Sequence, residues 1–218
     1  MTDKPVLWDF FSGAGGAARG YQEAGFYVIG VDINPQPNYA GDYFIQGDAI
    51  EYLQALADLL PVPDAIHASP PCQYYSLMSQ CRPGLASKYP DLVGPVQEIL
   101  DQISVPWVLE NVPGSPLRNP VELCGYMFDH ELIRHRLFET NFPLVQPNHK
   151  PHLLPASKAG HWTPGTTMSV SGHIAPIAHA RKIMAMDWCN REELAEAVPP
   201  YYTKYVGTQL MKHMKEAK

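Results

Sequence analysis

Near the start of the chain stands Val6-Leu7-Trp8-Asp9-Phe10-Phe11-Ser12-Gly13-Ala14-Gly15-Gly16, an apolar run followed by a glycine-rich loop. The apolar run predicts a buried strand over Val6–Phe10, and the residues from Gly15 to Ala24 predict a helix. A second strand-like run, from Tyr27 to Asp32, begins shortly after that helix. A strand, a glycine loop, a helix and a second strand together predict a βαβ unit with parallel strands.

The same alternation continues outward from this unit. Further strands are predicted at Tyr43–Gln46, Asp64–Ala68 and Trp107–Glu110, and further helices at Ala49–Leu60 and Asp91–Ile103. Strands that alternate with helices form sheets covered on both faces. We therefore expect an α/β fold with a doubly wound, mostly parallel, Rossmann-like sheet.

The second half of the chain has a different texture. Proline, glycine, histidine and hydroxyl residues dominate 144–176, which predicts a loop-rich insert with Trp162, Met168 and Val170 to bury. Helices are predicted beyond it at Ala178–Asp187, at Arg191–Ala197 and from Pro199-Pro200 to the terminus. The predicted division is a catalytic, cofactor-binding domain over 1–143, the insert over 144–176, and C-terminal helices over 177–218 that complete the catalytic domain.

The composition is that of a soluble globular protein, with 218 residues, 45% apolar and 17% charged. There is no run of about 18–20 apolar residues, as a membrane span needs, and residues 1–5 lack the apolar stretch of a signal peptide, so we expect a cytoplasmic location. The four cysteines form no Cys-x-x-Cys pair and are predicted to be free thiols. The net charge of −6 argues against a general nucleic-acid coat. It allows a local basic cleft, for which the candidates are Arg134, Arg136, Lys150, Lys158, Arg181, Lys182 and Lys204.

The carboxyl ends of the first three predicted strands carry groups suited to a nucleoside-like ligand. The glycine loop permits close backbone approach at a helix N-terminus. Asp32 ends the second strand, where a carboxylate can bind both ribose hydroxyls, and Asp48 follows the third, where it can accept a bond from an adenine amino group. The loop lacks the full G-x-G-x-x-G spacing, which disfavours a dinucleotide. In the alternative interpretation the loop is an ordinary turn, and Asp32 and Asp48 are helix N-caps.

Cys72 follows the fourth predicted strand, in Pro70-Pro71-Cys72. Two prolines restrict the backbone before the sulfur, as suits a nucleophile presented at a sheet edge. Glu110 ends the next apolar strand, and Arg134 and Arg136 come later. Each residue has a structural alternative: the cysteine as an apolar filler, the glutamate as a strand-end cap, and the arginines as a solvated pair.

Taken together, these segments resemble the motifs of the DNA cytosine-5 methyltransferases. Asp9 to Gly16 resembles the family's first motif, and Pro71-Cys72-Gln73-Tyr74-Tyr75-Ser76 resembles its catalytic PCQxxS motif. Glu110-Asn111-Val112 is similar to the ENV motif, and Arg134-His135-Arg136 to the RxR motif. The order and rough spacing agree over most of the chain apart from the insert.

The resemblance implies an S-adenosylmethionine-dependent methyltransferase fold, with S-adenosylmethionine as cofactor and a flipped cytosine of double-stranded DNA as substrate. It implies a small, stand-alone, phage-like form in which the insert is a reduced target-recognition region. A role in restriction–modification is one possibility among others that the sequence leaves open. The residues assigned to the cofactor are Phe11, Ser12, Gly13, Ala14, Gly15, Gly16, Asp32, Ile33, Asp48, Ala49, Pro70 and Thr203.

The expected chemistry gives four residues their roles. Carbon 5 of cytosine is a poor nucleophile until a thiolate, assigned to Cys72, attacks carbon 6. A protonated Glu110 is expected to hold ring nitrogen N3 and to select the amino group. Arg136 is expected to hold the base's carbonyl oxygen, and Arg134 to orient the cysteine or a phosphate. The alternatives are RNA cytosine-5 methylation, transfer of a related alkyl group, or a non-catalytic DNA-binding module, which the retained Cys72 and Glu110 disfavour.

The chain departs from the family pattern in several places. Leu132 replaces the usual glutamine before the RxR motif, and Ala195-Glu196 replaces the Gly-Asn expected before Ala197-Val198-Pro199-Pro200. Thr203 is therefore expected to meet the methionine end of the cofactor. The short insert predicts a short recognition sequence, relaxed specificity or an accessory partner, and we expect a monomer.

Two further groups of residues bear on binding. Ser79, Gln80 and Arg82 lie in a loop that we expect near DNA phosphates. Seven of the nine histidines fall between His130 and His179, and His149, His152 and His161 suggest a metal site. No cysteine or acidic cluster accompanies them in sequence, so no metal is predicted.

Overall fold

A seven-stranded sheet is formed by β1 (Val6–Phe10), β2 (Tyr27–Asp32), β3 (Tyr43–Gln46), β4 (Ala65–Ala68), β5 (Trp107–Asn111), β6 (Val121–Leu123) and β7 (Arg136–Thr140). The computed structural model describes residues 3–58, 62–76, 80–81, 84–158 and 160–217. The strand order is β3-β2-β1-β4-β5-β7-β6. The first five strands of that order pair in parallel, and β7 runs antiparallel between β5 and β6. The predicted α/β fold with a doubly wound, mostly parallel sheet is confirmed.

The helices of the described chain are α1 (Gly16–Ala24), α2 (Ala49–Asp58), α3 (Val93–Leu100), α4 (Ile177–Met184), α5 (Arg191–Glu196) and α6 (Pro200–Glu216). They agree with the predicted helices, although α3 and α4 are shorter than expected. Leu60, where α2 was expected to end, lies outside the described residues. Within the part of the chain that is described, no helix is both long enough and apolar enough to span a membrane.

Two apolar clusters cover the two faces of the sheet. On one face, Tyr21 of α1 and Tyr202 of α6 pack with Leu7 and Val28 of the strands. On the other, Leu53 of α2 and Leu100 of α3 pack against further strand residues. Both faces are therefore buried, and a ligand can reach the sheet only at its edges or at the ends of its strands.

The insert is joined to the body through a third apolar cluster. Met168, Val170 and Ile174 are almost fully buried and belong to the same cluster as Ile183 of α4. Trp162 packs against this cluster and stacks on His179, with ring centroids 3.7 Å apart. The prediction that Trp162, Met168 and Val170 give the insert something to bury is confirmed, and these side chains bury against the body of the protein.

Candidate active site

One cavity of about 520 Å³ lies at the carboxyl ends of the parallel strands. Its lining includes most of the predicted site residues: Phe11, Ser12, Gly13, Ala14, Gly16, Asp32, Ile33, Asp48, Ala49, Pro70, Cys72, Glu110 and Arg136. Cavities of this size hold small organic ligands. The topology thus brings residues from six separate segments of the sequence to one place.

The glycine loop between β1 and α1 is held in shape by Asp32. The backbone N–H of Gly13 donates to Oδ2 of Asp32 over 2.9 Å, and that of Asn34 donates to Oδ1 over 2.9 Å. Gly15 has a left-handed backbone (φ 80°), and a Cβ there would lie 2.8 Å from the backbone nitrogen of Ala40. Glycine is therefore required at this turn for both conformation and space. Gly15 itself does not line the cavity, so its predicted contact with the cofactor is corrected to a role in shaping the loop.

Two polar groups of the loop region bear on ligand binding. Asp48 caps α2, since its Oδ1 accepts from the N–H of Ile50 over 2.8 Å. The N-cap interpretation of Asp48 is therefore correct, while its side chain also lines the cavity. The hydroxyl of Ser12 is buried and has no hydrogen-bond partner in the described protein. A buried hydroxyl without a partner favours a ligand that supplies one.

Cys72 is positioned by the strand that carries Glu110. The side-chain amide of Asn111 donates to the carbonyl of Pro70 over 2.9 Å, and its oxygen accepts from the N–H of Val112 over 2.9 Å. Asn111 is fully buried at the end of β5 and so ties the turn before Cys72 to that strand. Burial raises the pKa of Cys72 above its ordinary value, and the nearby positive charge of Arg136 acts in the opposite direction.

Glu110 and Arg136 lie side by side in the cavity wall. Nε of Arg136 is 3.0 Å from Oε1 of Glu110, yet among the described residues that oxygen has no hydrogen-bond partner, because the Arg136 N–H is not directed at it. Burial raises the pKa of Glu110, while Arg136 and Arg134 act to lower it. A buried carboxyl group with an unused oxygen can take a hydrogen bond from a bound ligand, or give one when it is protonated.

Arg134 occupies a different environment from Arg136 and does not line the cavity. Its guanidinium is buried and donates to three backbone carbonyls: Nε to Ala197 over 3.1 Å, Nη2 to Ala195 over 2.8 Å and to Ala197 over 2.9 Å, and Nη1 to Val170. Because these bonds engage its donors inside the protein, the predicted contact of Arg134 with a phosphate is corrected. Arg134 joins the start of β7 to the insert and to the segment before α6.

Thr203 also lies away from the cavity. It is fully buried in α6, and its hydroxyl lies 2.9 Å from the carbonyl of Ala17 and 3.2 Å from that of Pro200. The predicted contact with the methionine end of a cofactor is therefore wrong, because this face of α6 packs on α1. Glu196, which replaces the asparagine expected in the late motif, lines the cavity instead, and burial together with Asp32 raises its pKa. An acidic residue directly before Ala197-Val198 was the sequence signal that could have identified Glu196 as a residue of the cavity.

Three candidates for the predicted basic cleft have partners within the protein. Lys150 pairs with Asp129, Lys204 pairs with Glu23 at 3.0 Å, and Arg181 donates to the carbonyl of Cys189 over 2.7 Å. Of the loop residues expected near phosphates, Ser79 and Arg82 lie outside the described residues, and Gln80 donates to the carbonyl of Tyr74 over 2.7 Å.

The sheet order and the cavity at its strand ends define the Rossmann-like methyltransferase fold. Among solved structures, the chain is similar to a protein encoded within an E. coli prophage and described provisionally as a DNA modification methyltransferase, with 13% identity, 97% of this chain and 99% of that chain covered, and a TM-score of 0.65. It is also similar to the S. pombe Dnmt2 methyltransferase (13% identity, 97% and 99% covered, TM-score 0.57) and to the Entamoeba histolytica methyltransferase EhMeth (14%, 100% and 100%, 0.57). These likenesses establish the shared fold. No family model matches the sequence, and no curated protein matches it.

Proposed function

We propose that this protein transfers a methyl group from S-adenosylmethionine to carbon 5 of a cytosine in double-stranded DNA. The observation that carries the proposal is that Cys72 and the unused carboxylate oxygen of Glu110 line the same cavity as the glycine loop and Asp32. A thiol beside a carboxyl group suits attack on a heterocyclic ring. The description of the prophage relative as a DNA modification methyltransferase supports DNA as the substrate.

The residues present fit S-adenosylmethionine. Each oxygen of Asp32 accepts one backbone hydrogen bond, which leaves lone pairs for two ribose hydroxyls. The Asp48 oxygen that takes no part in the α2 cap is available to an adenine amino group, and the buried Ser12 hydroxyl needs a partner. When bound, the cofactor supplies an electrophilic methyl group on a sulfonium.

The protein's own residues activate the base. Cys72 must lose its proton before its sulfur bonds to carbon 6, and the Arg136 charge favours the thiolate that burial disfavours. A Glu110 carboxyl kept protonated by burial gives its proton to N3 as the ring loses its aromaticity. Carbon 5 then has the electron pair that accepts the methyl group. When water removes the proton from carbon 5, the C5–C6 double bond re-forms, N3 returns its proton, and the bond between Cys72 and carbon 6 breaks.

A cytosine in a duplex must leave the stack to reach this cavity, at a cost of a few kcal/mol. In the proposal, residues 144–176 contact the DNA around the extruded base. A monomeric state, a cytoplasmic location and an accessory partner remain predictions from the sequence.

The test is trapping of the covalent bond with DNA that contains 5-fluorocytosine. Fluorine at carbon 5 cannot leave as a cation, so elimination is blocked and the adduct persists. We expect a denaturation-resistant adduct with the wild-type protein and with the Cys81→Ser control, whose thiol is exposed, and none with Cys72→Ser. The adduct should form only when S-adenosylmethionine is present.

The same assay separates the alternatives. An adduct with RNA that contains 5-fluorocytosine, but not with the corresponding DNA, would refute DNA as the substrate. Methylation by Cys72→Ser at the wild-type rate would refute the proposed role of Cys72. Bisulfite sequencing of treated DNA then reports which cytosines are modified.

A further inference from the structure

Four side chains with metal-ligating atoms converge near the edge strand β6 and its neighbour β7. They are Cys124, His135, His149 and His152, and their sulfur and ring nitrogen atoms all lie within 4.8 Å of one another. None of the four lines the cavity of the candidate active site. They come from three segments: the residue after β6, the middle of Arg134-His135-Arg136, and the beginning of the insert.

The closest distances match those of a tetrahedral zinc site. Nε2 of His135 is 3.3 Å from Nε2 of His149, and Sγ of Cys124 is 3.4 Å from Nε2 of His152. Zinc bonds of about 2.05 Å to nitrogen and about 2.3 Å to sulfur at the tetrahedral angle place two nitrogens about 3.3 Å apart and a sulfur and a nitrogen about 3.6 Å apart. The widest separation, 4.8 Å, needs to close by about 1.2–1.5 Å to reach these values.

The chemistry of the four groups also selects zinc. Thiolate and imidazole ligands suit Zn²⁺, and four protein ligands leave no open position, which is typical of a structural site. Cys124 is buried, while His152 is exposed, so the site is anchored in the protein and open to a metal from solvent. The carboxylate of Glu122, 3.9 Å from Nε2 of His135, adds negative charge that offsets the charge of a bound cation.

A stack of neutral rings is the competing explanation. His135 and His149 lie nearly parallel with centroids 5.5 Å apart, and His152 packs against Tyr126 with centroids 4.8 Å apart. Stacking accounts for parallel rings. A hydrogen bond between the two Nε2 atoms and one between the thiol and the third imidazole account for the two short contacts one pair at a time. A shared cation accounts in addition for all four ligand atoms lying within 4.8 Å of one another.

We propose that Cys124, His135, His149 and His152 bind one zinc ion that fixes the beginning of the insert to the edge of the sheet. His135 directly precedes Arg136, the first residue of β7, whose side chain lines the cavity. A metal here therefore links the placement of the insert to the placement of an active-site residue. The sequence indicated His149 and His152 but paired them with His161, which is not a member of the cluster.

The test is the metal content of the whole chain, measured without reference to activity. Protein loaded with zinc and dialysed against metal-free buffer should retain one zinc per chain in the wild type and in the His161→Ala control, which removes a histidine of the same insert. Loss of a second-shell partner already weakens zinc sites 10–100-fold, so we expect His152→Ala, which removes a ligand, to weaken zinc binding more than about 100-fold. Co²⁺ in the same site should give the visible absorption of a tetrahedral thiolate complex, and Cys124→Ser should abolish its sulfur-to-cobalt band.

Thermal melting guards against a variant that does not fold. Zinc added to metal-free wild type at about 1,000-fold above its Kd should raise Tm by about 8–16 °C. At the same zinc concentration, the Tm of His152→Ala, which binds zinc more than about 100-fold more weakly, should rise by no more than about 3–6 °C. The proposal is overturned if dialysed wild type holds less than a tenth of an equivalent of zinc, or if His161→Ala loses as much zinc as His152→Ala. Zinc binding by a protein without methyltransferase activity would refute the proposed function and leave this site intact.

Discussion

The two arginines of Arg134-His135-Arg136 should separate into one that holds the fold and one that serves the chemistry. The Arg134 side chain is buried and gives four hydrogen bonds to three carbonyls, whereas Arg136 lines the cavity beside Glu110. Methionine is the informative replacement at each position, since it keeps much of the apolar stem and removes every donor.

The magnitude for Arg134→Met follows from the carbonyls it leaves behind. A buried acceptor that loses its donor costs about 1–3 kcal/mol, so three of them give about 3–9 kcal/mol. Burial of the guanidinium is itself unfavourable, and it lowers the pKa of Arg134 to about 9. Removing that charge offsets part of the loss, and we expect a net loss at the low end, about 3 kcal/mol. For a chain of this length that corresponds to a fall in Tm of about 6–12 °C.

Arg136→Met should give the opposite pattern. It removes the cation that lies 3.0 Å from Glu110, but burial already raises the pKa of that carboxyl, so Glu110 can take up a proton instead of remaining a buried charge. We expect Tm to fall by less than about 3 °C. The single-turnover rate of methyl transfer should fall by about 100-fold or more.

The assays are thermal denaturation followed by circular dichroism and single-turnover methylation at a temperature below both melting transitions. This assignment of roles would be refuted if Arg134→Met had the same Tm as the wild type. It would also be refuted if Arg136→Met lost more stability than Arg134→Met.

Two further predictions concern the body of the protein. Gly20→Ala places a Cβ 2.1 Å from both the carbonyl of Pro200 and the hydroxyl of Thr203, so α6 must shift, and Tm should fall by about 2–12 °C for an overpacking cost of about 1–3 kcal/mol. Gly94 lies in α3, and a Cβ added there meets no atom of the described residues within 4 Å. Gly94→Ala should therefore stabilise the protein by about 0.5–1 kcal/mol. If the two variants had the same Tm, the packing argument would be contradicted. Burial lowers the pKa of His67 to about 3, so below pH 6.5 the unfolded chain binds a proton that the folded protein does not. The stability advantage of wild type over His67→Gln in urea unfolding should therefore shrink by about 2 kcal/mol from pH 7 to pH 5. The raised pKa of Asp9 acts in the opposite direction, and it does so in both proteins. A constant difference would show that His67 takes up a proton in the folded protein as readily as in the unfolded chain.

The parallel half of the sheet was predictable from the sequence because its signals are local. Strands β1, β2 and β3 match the predicted ranges residue for residue, since each is a short, mostly apolar run with a glycine no more than three residues beyond one end. Neither of the two antiparallel strands, β6 and β7, was among the predicted strands. Strand β6 has only three residues, Val121–Leu123, too few for an alternating pattern to show, and it forms only because β7 pairs with it.

The candidate site shows the same difference between residues with local sequence signals and residues placed by long-range contacts. Groups placed directly at strand ends, such as Asp32 and Cys72, were identified because the end of a strand fixes where they lie. Thr203 was misplaced because its direction depends on which face of α6 meets α1, and Gly20 of α1 settles that by allowing close approach. Cys124 was missed as a partner of the histidines because ten residues separate it from His135, and only the pairing of β6 with β7 brings the two together.

A short insert explains why directional bonds gather around β7. The segment 144–176 has too few residues to stabilise a core of its own, since folded units below about 40 residues usually need disulfides, metals or association with a larger body. Here the carbonyl of Val170 is held by Arg134, Met168 is buried in a cluster shared with α4, and the proposed zinc site ties His149 and His152 to His135. Two of these attachments, those through Arg134 and His135, end within two residues of Arg136, which lines the cavity. Contacts that replace a core in the insert therefore also hold the start of β7, so a change that loosens the insert should also disturb Arg136 beside Glu110.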